Sequence, residues 1–485
     1  MTGTTVRNDE NQRITITAAT EAACAAGLTA EELAAFSRTL GRLRALPAHD
    51  RTRLHAERQL SSFVAESRKR RRQEAKHADR QADADLLATT ATGARDRRED
   101  TPLAPAGPPV GELRTPRKCY VCKQPYRLVD GFYHLLCPGC AADNATRRAL
   151  TTDLRGRRAL LTGGRVKIGF QLALMMLRDG ADLTVTSRFP HDAVRRFRAA
   201  DGSACWWDRL TVVGIDLRDP RQVLGLTEQL HADGRPLDIL VNNAAQTLRR
   251  PPESYTHLAA GERTGLPTAD RRAVTRAPGF RPLSGIAQLP SDAGSLLDLP
   301  GLRDEAGLPS LPGLRDEAGL LPDLSPANSW SARLGALDPA EVLETQLVNA
   351  LAPTLLCDRL LPLLLASPHP ARYIVNVTAV EGRFAVRNKT SRHPHTNMAK
   401  AALNMLTRTS AAELASQGVH MCAVDTGWIT DENPAPKKAH LAAQGFRTPL
   451  DIVDGAARVY DPIVRGEAGD PVSGVFLKDY QEAGW

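Results

Sequence analysis

The sequence predicts an α/β protein built on a doubly wound parallel sheet, with an N-terminal helical region and a small cysteine-bearing segment ahead of the sheet. Three observations carry that prediction. From about Arg157 onward short apolar runs alternate with helical segments, a glycine turn follows the first run and opens a helix, and two Cys-x-x-Cys pairs stand just upstream. At 485 residues the chain is long enough for about three units of roughly 150 residues each. With 42% hydrophobic and 24% charged residues the composition is that of a globular protein rather than a fibrous or disordered one. Eight cysteines in so long a chain do not make a disulfide framework.

Residues 1–100 read as a basic helical region. The first 150 residues carry 25 Lys or Arg against 18 Asp or Glu, so 7 of the net +8 charges belong there. Leu28 to Ala88 is rich in Ala, Leu, Arg, Glu and Gln, and Thr29 with Glu31 and Glu32 ahead of Leu33, Phe36 and Leu40 is a capped amphipathic start. The run Arg68, Lys69, Arg70, Arg71, Arg72 fits either contact with nucleic-acid phosphates or a solvated helix face partly neutralised by Glu66, Glu74 and Asp79, and the solvated face is the expectation. Residues 101–117, rich in proline, read as a linker. Arg7, Asp9, Glu10 and Arg13 leave no apolar core for a secretory signal. The longest apolar run, Leu355 to Ala366, is broken by Asp358 and Arg359, so no membrane span is expected and the expected location is cytoplasmic.

Residues 118–150 contain Cys119-Tyr-Val-Cys122 and Cys137-Pro-Gly-Cys140, separated by fourteen residues. Two such pairs can set four thiolates at the corners of a tetrahedron, the arrangement of a structural zinc ion, and the segment reads as zinc-ribbon-like. So short a segment buries too little core to fold alone, so the metal would supply its folding energy. A redox dithiol and an iron site are the alternatives. His134, between the pairs, is expected to be a packing residue.

Residues 155–485 form the predicted sheet domain. Its strands are expected at Ala159 to Thr162, Leu183 to Ser187, Leu210 to Asp216, Ile239 to Asn242, Tyr373 to Val377 and His420 to Asp425. An insertion at about 248–335 interrupts it, far longer than the connections of about 2–6 residues usual in such folds. It holds a tandem repeat, Leu299–Leu308 recurring identically as Leu311–Leu320, and is expected to be a partly disordered surface segment.

The turn Leu160-Leu-Thr-Gly-Gly-Arg-Val-Lys-Ile-Gly-Phe170 lets backbone amides approach a pyrophosphate at a helix N-terminus, although a plain strand-helix turn has the same look. With its later landmarks the chain resembles the short-chain dehydrogenase/reductase family, whose domain is a Rossmann-like doubly wound sheet. Thr162-Gly163-Gly164-Arg165-Val-Lys167-Ile168-Gly169 resembles the family's glycine turn, with Lys167 in place of the middle glycine. Asp216-Leu217 resembles its adenine-contacting pair, and Asn242-Asn243-Ala244-Ala245 its Asn-Asn-Ala-Gly motif. Asn349, Asn376-Val-Thr-Ala, Lys400 and Asp425-Thr426-Gly427-Trp-Ile429-Thr430 follow in the family's order. The resemblance implies a nicotinamide cofactor held by these residues. Ser187-Arg188 ends the second strand with a cation where NAD-selective members carry an acid, so NADP(H) is expected, with NAD the alternative.

Family chemistry uses a Tyr, a Lys four positions later, a Ser and an Asn. Lys400 and Asn349 match. Thr396 stands at the Tyr position and Ala379 at the Ser position, and the seven tyrosines, at 120, 126, 133, 255, 373, 460 and 480, cannot be realigned onto it. A threonine hydroxyl is too weak an acid to replace a phenol, and general acid catalysis is typically worth about 10²- to 10⁴-fold. Three repairs are open: the imidazoles of His393 and His395, Thr378 as the carbonyl-orienting hydroxyl, and a rebuilt loop of 17 residues from Ala379 to Thr396. The expected function is therefore an atypical NADP(H)-dependent oxidoreductase acting on a small molecule of unassigned class. The alternatives are a nucleotide-binding pseudoenzyme that engages a protein partner through its N-terminal region and, more weakly, a nucleic-acid-binding protein. A homo-oligomer fits the family's habit.

Overall fold

The computed structural model describes residues 27, 29–105, 107–250, 252–281, 315–386 and 388–485. The repeat copy Leu299–Leu308 and the start of the second copy, 311–314, lie outside the described residues, as does 1–26 of the N-terminal region. The chain divides into two compact units, Met1–Gln81 and Ala82–Trp485.

The first unit is helical. Helix Ala30–Ala45 begins in the predicted cap: Glu32 N–H donates to Thr29 Oγ1 (3.2 Å) and Thr29 N–H to Glu32 Oε2 (2.7 Å), which satisfies two backbone donors reciprocally. Its apolar residues find no core, and Phe36 is 53% exposed. Helix Arg51–Ala88 carries the basic run on exposed positions, with Arg70 3.8 Å from Glu74 one turn on.

In the second unit the cysteine segment begins earlier than the linker boundary allowed. Strand β1, Gly111–Lys118, pairs antiparallel with β2, Pro125–Val129, so the end of the 101–117 stretch is strand rather than linker. Leu113 is buried and drives the pairing, and the register shifts between Glu112 and Arg117, around Pro116, which has no amide to donate. Asp83 fixes this strand by accepting from the Arg114 and Thr115 amides (2.7 and 3.1 Å).

The main sheet has nine strands among the described residues. In chain order these are β3 Arg158–Leu161, β4 Asp182–Ser187, β5 Leu210–Gly214, β6 Ile239–Asn242, β7 Val274–Arg276, β8 Arg372–Thr378, β9 Val419–Asp425, β10 Phe476–Lys478 and β11 Gln481–Ala483. Their order is β11-β10-β9-β8-β6-β3-β4-β5-β7, all parallel except β11. Neighbouring residues feed opposite faces, as the pleat requires: Leu161 joins Leu172, Phe197 and Val459 on one side, and Leu160 joins Leu240, Leu356 and Met421 on the other. The six expected strands are all present.

The insertion departs from expectation. Within it helix Thr256–Arg263 and strand β7 are ordered, and β7 extends the sheet beside β5, so this part of the insertion is a structural edge and not a surface loop. Arg315–Leu320, the end of the second repeat copy, is also placed: Gly319 N–H donates to Asp316 O (2.9 Å), Leu320 N–H to Asp316 Oδ1 (2.8 Å), and Leu320 packs on Phe189, Tyr255 and Leu258.

Helix Pro339–Gln346 runs through one π turn, Leu347–Leu351, into helix Ala352–Leu365. Pro339–Leu365 is long and apolar enough to cross a membrane by length and composition, because it begins well before Leu355, but half of its most apolar window is buried inside the protein. Leu356, Leu360 and Leu364 lie in the sheet's second core.

The cysteine segment is not independent of the sheet domain. Cys119, Tyr126, Tyr133 and Leu136 share one apolar cluster with Ile429, Leu450 and Ile452. Arg148 pairs with Asp451 (2.5 Å) and Tyr133 Oη donates to Asp454 Oδ1 (2.6 Å), both at the start of helix Ile452–Glu467.

Candidate functional site

A cleft of about 1200 Å³ opens at the C-terminal ends of the parallel strands, where such sheets bind ligands. Its floor is the glycine turn. Gly163 has φ +73°, and a Cβ there would lie 2.9 Å from Ala244 Cα; at Gly169 a Cβ would meet Gly163 O at 2.2 Å. Lys167 adopts φ +53°, the left-handed conformation a glycine would take freely. Thr162 Oγ1 accepts from the Asn243 and Ala244 amides (both 3.0 Å), and Asn243 Nδ2 donates to Thr162 O (3.0 Å) and Gly163 O (3.2 Å). Thr162 and Gly164 therefore shape the turn without lining the cleft, whereas Gly163, Arg165, Lys167, Ile168 and Gly169 line it. No side chain caps helix Lys167–Arg178, which leaves its first amides open to an anion.

One end of the cleft lies beside the ends of β4 and β5. Ser187, Arg188, Asp216, Leu217, Asn243 and Ala244 line it. Arg188 lies over the Tyr255 ring, 5.0 Å from its centre, and Nη2 is 3.4 Å from Tyr255 Oη. Arg165 pairs with Asp192 (2.6 Å) and donates to Ala318 O (2.9 Å), while Arg218 grips Asp216 (2.6 Å). Tyr255, Ala318 and Leu320 all come from the insertion.

The other end holds Lys400, Thr378, Thr396, Thr426, Gly427 and Ile429. Lys400 Nζ donates to Val377 O (2.9 Å); burial lowers its pKa to about 8, with Glu381 pulling the other way. Thr378 Oγ1 donates to Lys400 O (3.3 Å). The Thr396 hydroxyl is buried without a hydrogen-bond partner. Asn349 does not line the cleft. It sits in the π turn and clasps Gln246, accepting from its amide (2.7 Å) and donating to its carbonyl (2.9 Å).

The two histidines part company. His395 is 1% exposed, neither ring nitrogen has a hydrogen-bond partner, and its ring does not reach the cleft. His393 does line the cleft; its ring stacks on Trp330 (4.2 Å between centres, 9° between planes) and its Nδ1 is 3.1 Å from Asn397 Oδ1. Burial lowers both pKa values.

Several cleft residues are given no site role from the sequence. Asp425 is buried at the end of β9, accepts from the Val380 amide (3.0 Å), and is pushed up to about 6 by burial. Glu432 lies 3.9 Å from Lys167, and although burial raises its pKa, Lys167, Lys438 and Thr430 together hold it below the ordinary value. Tyr120 and Lys123, from the cysteine knuckle, form part of the wall: Trp428 N–H donates to Tyr120 Oη at 3.0 Å.

The four cysteine sulfurs lie within 4.8 Å of one another. Cys122 and Cys137 Sγ are 3.7 Å apart, too far for a disulfide of about 2.05 Å and close to the roughly 3.8 Å edge of a tetrahedron with Zn–S bonds of about 2.3 Å. Cys137 N–H donates to Cys119 Sγ (3.3 Å), the kind of contact that supports a thiolate. The donor set and its dimensions fit a zinc ion.

Fold and cleft together define a doubly wound α/β protein of the Rossmann-like class, with its cleft at the C-terminal ends of the parallel strands. A sequence model described as short chain dehydrogenase matches residues 157–261, and one described as enoyl-(acyl carrier protein) reductase matches 316–448. The uncharacterized protein R665 of Acanthamoeba polyphaga mimivirus is 30% identical over 365 residues, 72% of this chain and 71% of that one. A peroxisomal 2,4-dienoyl-CoA reductase of Rattus norvegicus is 29% identical over 117 residues, 24% of this chain and about a third (34%) of the reductase. Among solved structures, a metagenomic short-chain oxidoreductase in complex with NADP (17% identity, TM-score 0.40) and the Pseudomonas aeruginosa RhlG/NADP complex (19%, 0.41) each align with 67% of this chain, covering 97% and 95% of their own. The chain belongs to the short-chain dehydrogenase/reductase family.

Proposed function

We propose that this protein is an atypical NADP(H)-dependent oxidoreductase with a structural zinc ion on Cys119, Cys122, Cys137 and Cys140. The observation that carries the reading is a single cleft running from Arg188 past the glycine turn to Lys400. Arg188 and Arg165 offer guanidinium groups for a 2′-phosphate where an acid would repel it, and the open amides of helix Lys167–Arg178 receive the pyrophosphate. When bound, the cofactor supplies or accepts a hydride. Lys400 holds the nicotinamide ribose, and Asn349 keeps the Gln246 loop in place beside it. Ile168 and Ile429 line the same end of the cleft as apolar groups, which excludes water from the ring.

The missing Tyr and Ser favour a second reading, a nucleotide-binding pseudoenzyme, because Thr396 and Ala379 present no acid. Titration calorimetry with NADPH and NADH, followed by turnover with aldehydes, ketones, quinones, imines and enoyl thioesters, separates the two. Tight NADPH binding with oxidation by one class supports the enzyme. Tight binding with no oxidation by any class supports the pseudoenzyme. Absence of binding to either nucleotide sinks both.

A further inference from the structure

The cysteine centre and the cleft share walls. Tyr120, between Cys119 and Cys122 in sequence, lines the cleft, and its hydroxyl accepts the amide of Trp428, the residue between Gly427 and Ile429. Lys478 lies 5.4 Å from the centre of the same ring and also lines the cleft. The apolar cluster around Cys119 and Tyr126 includes Ile429 from the Thr-Gly loop, and Ile168 from the glycine turn packs against it. Two apolar residues that line the cleft, Ile168 and Ile429, thus pack on the cysteine segment.

We propose that the metal centre is a positioning element of the cofactor site. A zinc ion on the four cysteines fixes Tyr120 so that its hydroxyl holds the Trp428 amide, and this keeps the Thr-Gly loop closed on the nicotinamide end of the cleft. Without the metal the knuckle loosens, Tyr120 leaves Trp428, and the loop loosens with it. A knuckle of this size has little core of its own, so the metal adds to the order that the segment takes from the apolar cluster it shares with the sheet domain. The proposal rests on the cleft being a nucleotide site and on the cysteines holding a metal. Tyr120 is a positioning residue in it, with no part assigned in proton transfer.

The test uses the full chain, as purified and after stripping with a thiol-compatible chelator under reducing conditions, checked by elemental analysis. The first readout needs no nucleotide: hydrogen exchange across 425–432. The second compares binding of NADPH with that of adenosine 2′,5′-bisphosphate, which reaches only the far end of the cleft. One zinc per chain is expected. Stripping, or Cys122→Ser, should speed exchange at the Trp428 amide and weaken NADPH binding about tenfold, the worth of one well-made hydrogen bond, while leaving the bisphosphate unchanged. Tyr120→Phe keeps the ring and the metal but removes the acceptor; it should speed exchange at Trp428 and its loop neighbours and weaken NADPH binding, with the zinc and the bisphosphate affinity retained. Absence of metal, or a stripped protein that keeps Trp428 protected and binds NADPH as tightly as before, overturns the proposal. If the loaded protein binds neither nucleotide, the cofactor reading fails, and the exchange measurement still decides the coupling.

Discussion

Lys167 holds a left-handed backbone conformation in the glycine turn, φ +53°, while its ammonium lies 3.9 Å from Glu432 in the loop after β9. The side chain thus joins the turn to the loop on the opposite side of the cleft, at a backbone cost a glycine would avoid. The left-handed conformation costs an ordinary residue about 1–2 kcal/mol, offset in part by the greater unfolded-state freedom of glycine. Both Lys167→Gly and Lys167→Ala lose the ion pair, so their difference isolates the backbone. Lys167→Ala should be less stable than Lys167→Gly by about 1 kcal/mol in urea denaturation.

Arg188 is the guanidinium at the end of β4, beside Tyr255. Arg188→Glu should weaken NADPH binding by at least about tenfold, since it exchanges a charge-assisted contact for a repulsion, and should leave NADH binding within a few-fold. A parallel loss for the two cofactors, measured by calorimetry, would show that Arg188 does not face the 2′-phosphate.

Asp425 titrates near 6 when folded, above the ordinary aspartate, chiefly because it is buried; Glu381 and Asp479 add to the shift and Lys478 opposes it. The folded state therefore binds the proton more tightly than the unfolded state, so stability falls as pH rises from about 4 through 6. Asp425→Asn, which can still accept from Val380, escapes this penalty. Relative to wild type it should gain on the order of 2–3 kcal/mol between pH 4 and pH 7.5. A constant difference across that range would mean the carboxyl is not buried as described.

Lys400 shows the mirror case. Its folded pKa of about 8 lies below that of a free lysine, so between about 8 and 10.4 the unfolded chain binds more protons and stability rises with pH. Lys400→Met should abolish that rise, read as the wild-type minus variant difference in chemical denaturation. The variant should also lose NADPH affinity, because the ribose loses its ammonium.

The strands of the sheet were legible because each is a continuous apolar run bounded by turn residues, which is how a strand buried on both faces must read. β7, β10 and β11 were not, since runs of three residues at or beside an edge are too short to carry a period. The cysteine spacing announced a four-sulfur centre but could not show that Tyr120, some 300 residues from Trp428, would reach the cleft. His393 and His395 both stand close to Thr396 in sequence, yet only His393 lines the cleft. Successive residues on a helix point about 100° apart, and in helix Pro394–Ser416 that turn sends His395 inward while His393, at the N-cap, faces the cavity.

Residues 315–320 are seated against the rest of the protein by Arg165 at Ala318 O, Arg196 at Glu317 (3.3 Å), and the Phe189–Tyr255 pair under Leu320. Leu299–Leu308 has the same ten residues as Leu311–Leu320, so no chemistry at that seat distinguishes one copy from the other. The described part of the second copy, 315–320, places Asp316, Ala318 and Leu320 in the wall of the cleft. A segment that arose as a repeat thus supplies part of the wall of the site, and a change at Ala318 or Leu320 would be felt in the cleft and not only on the surface.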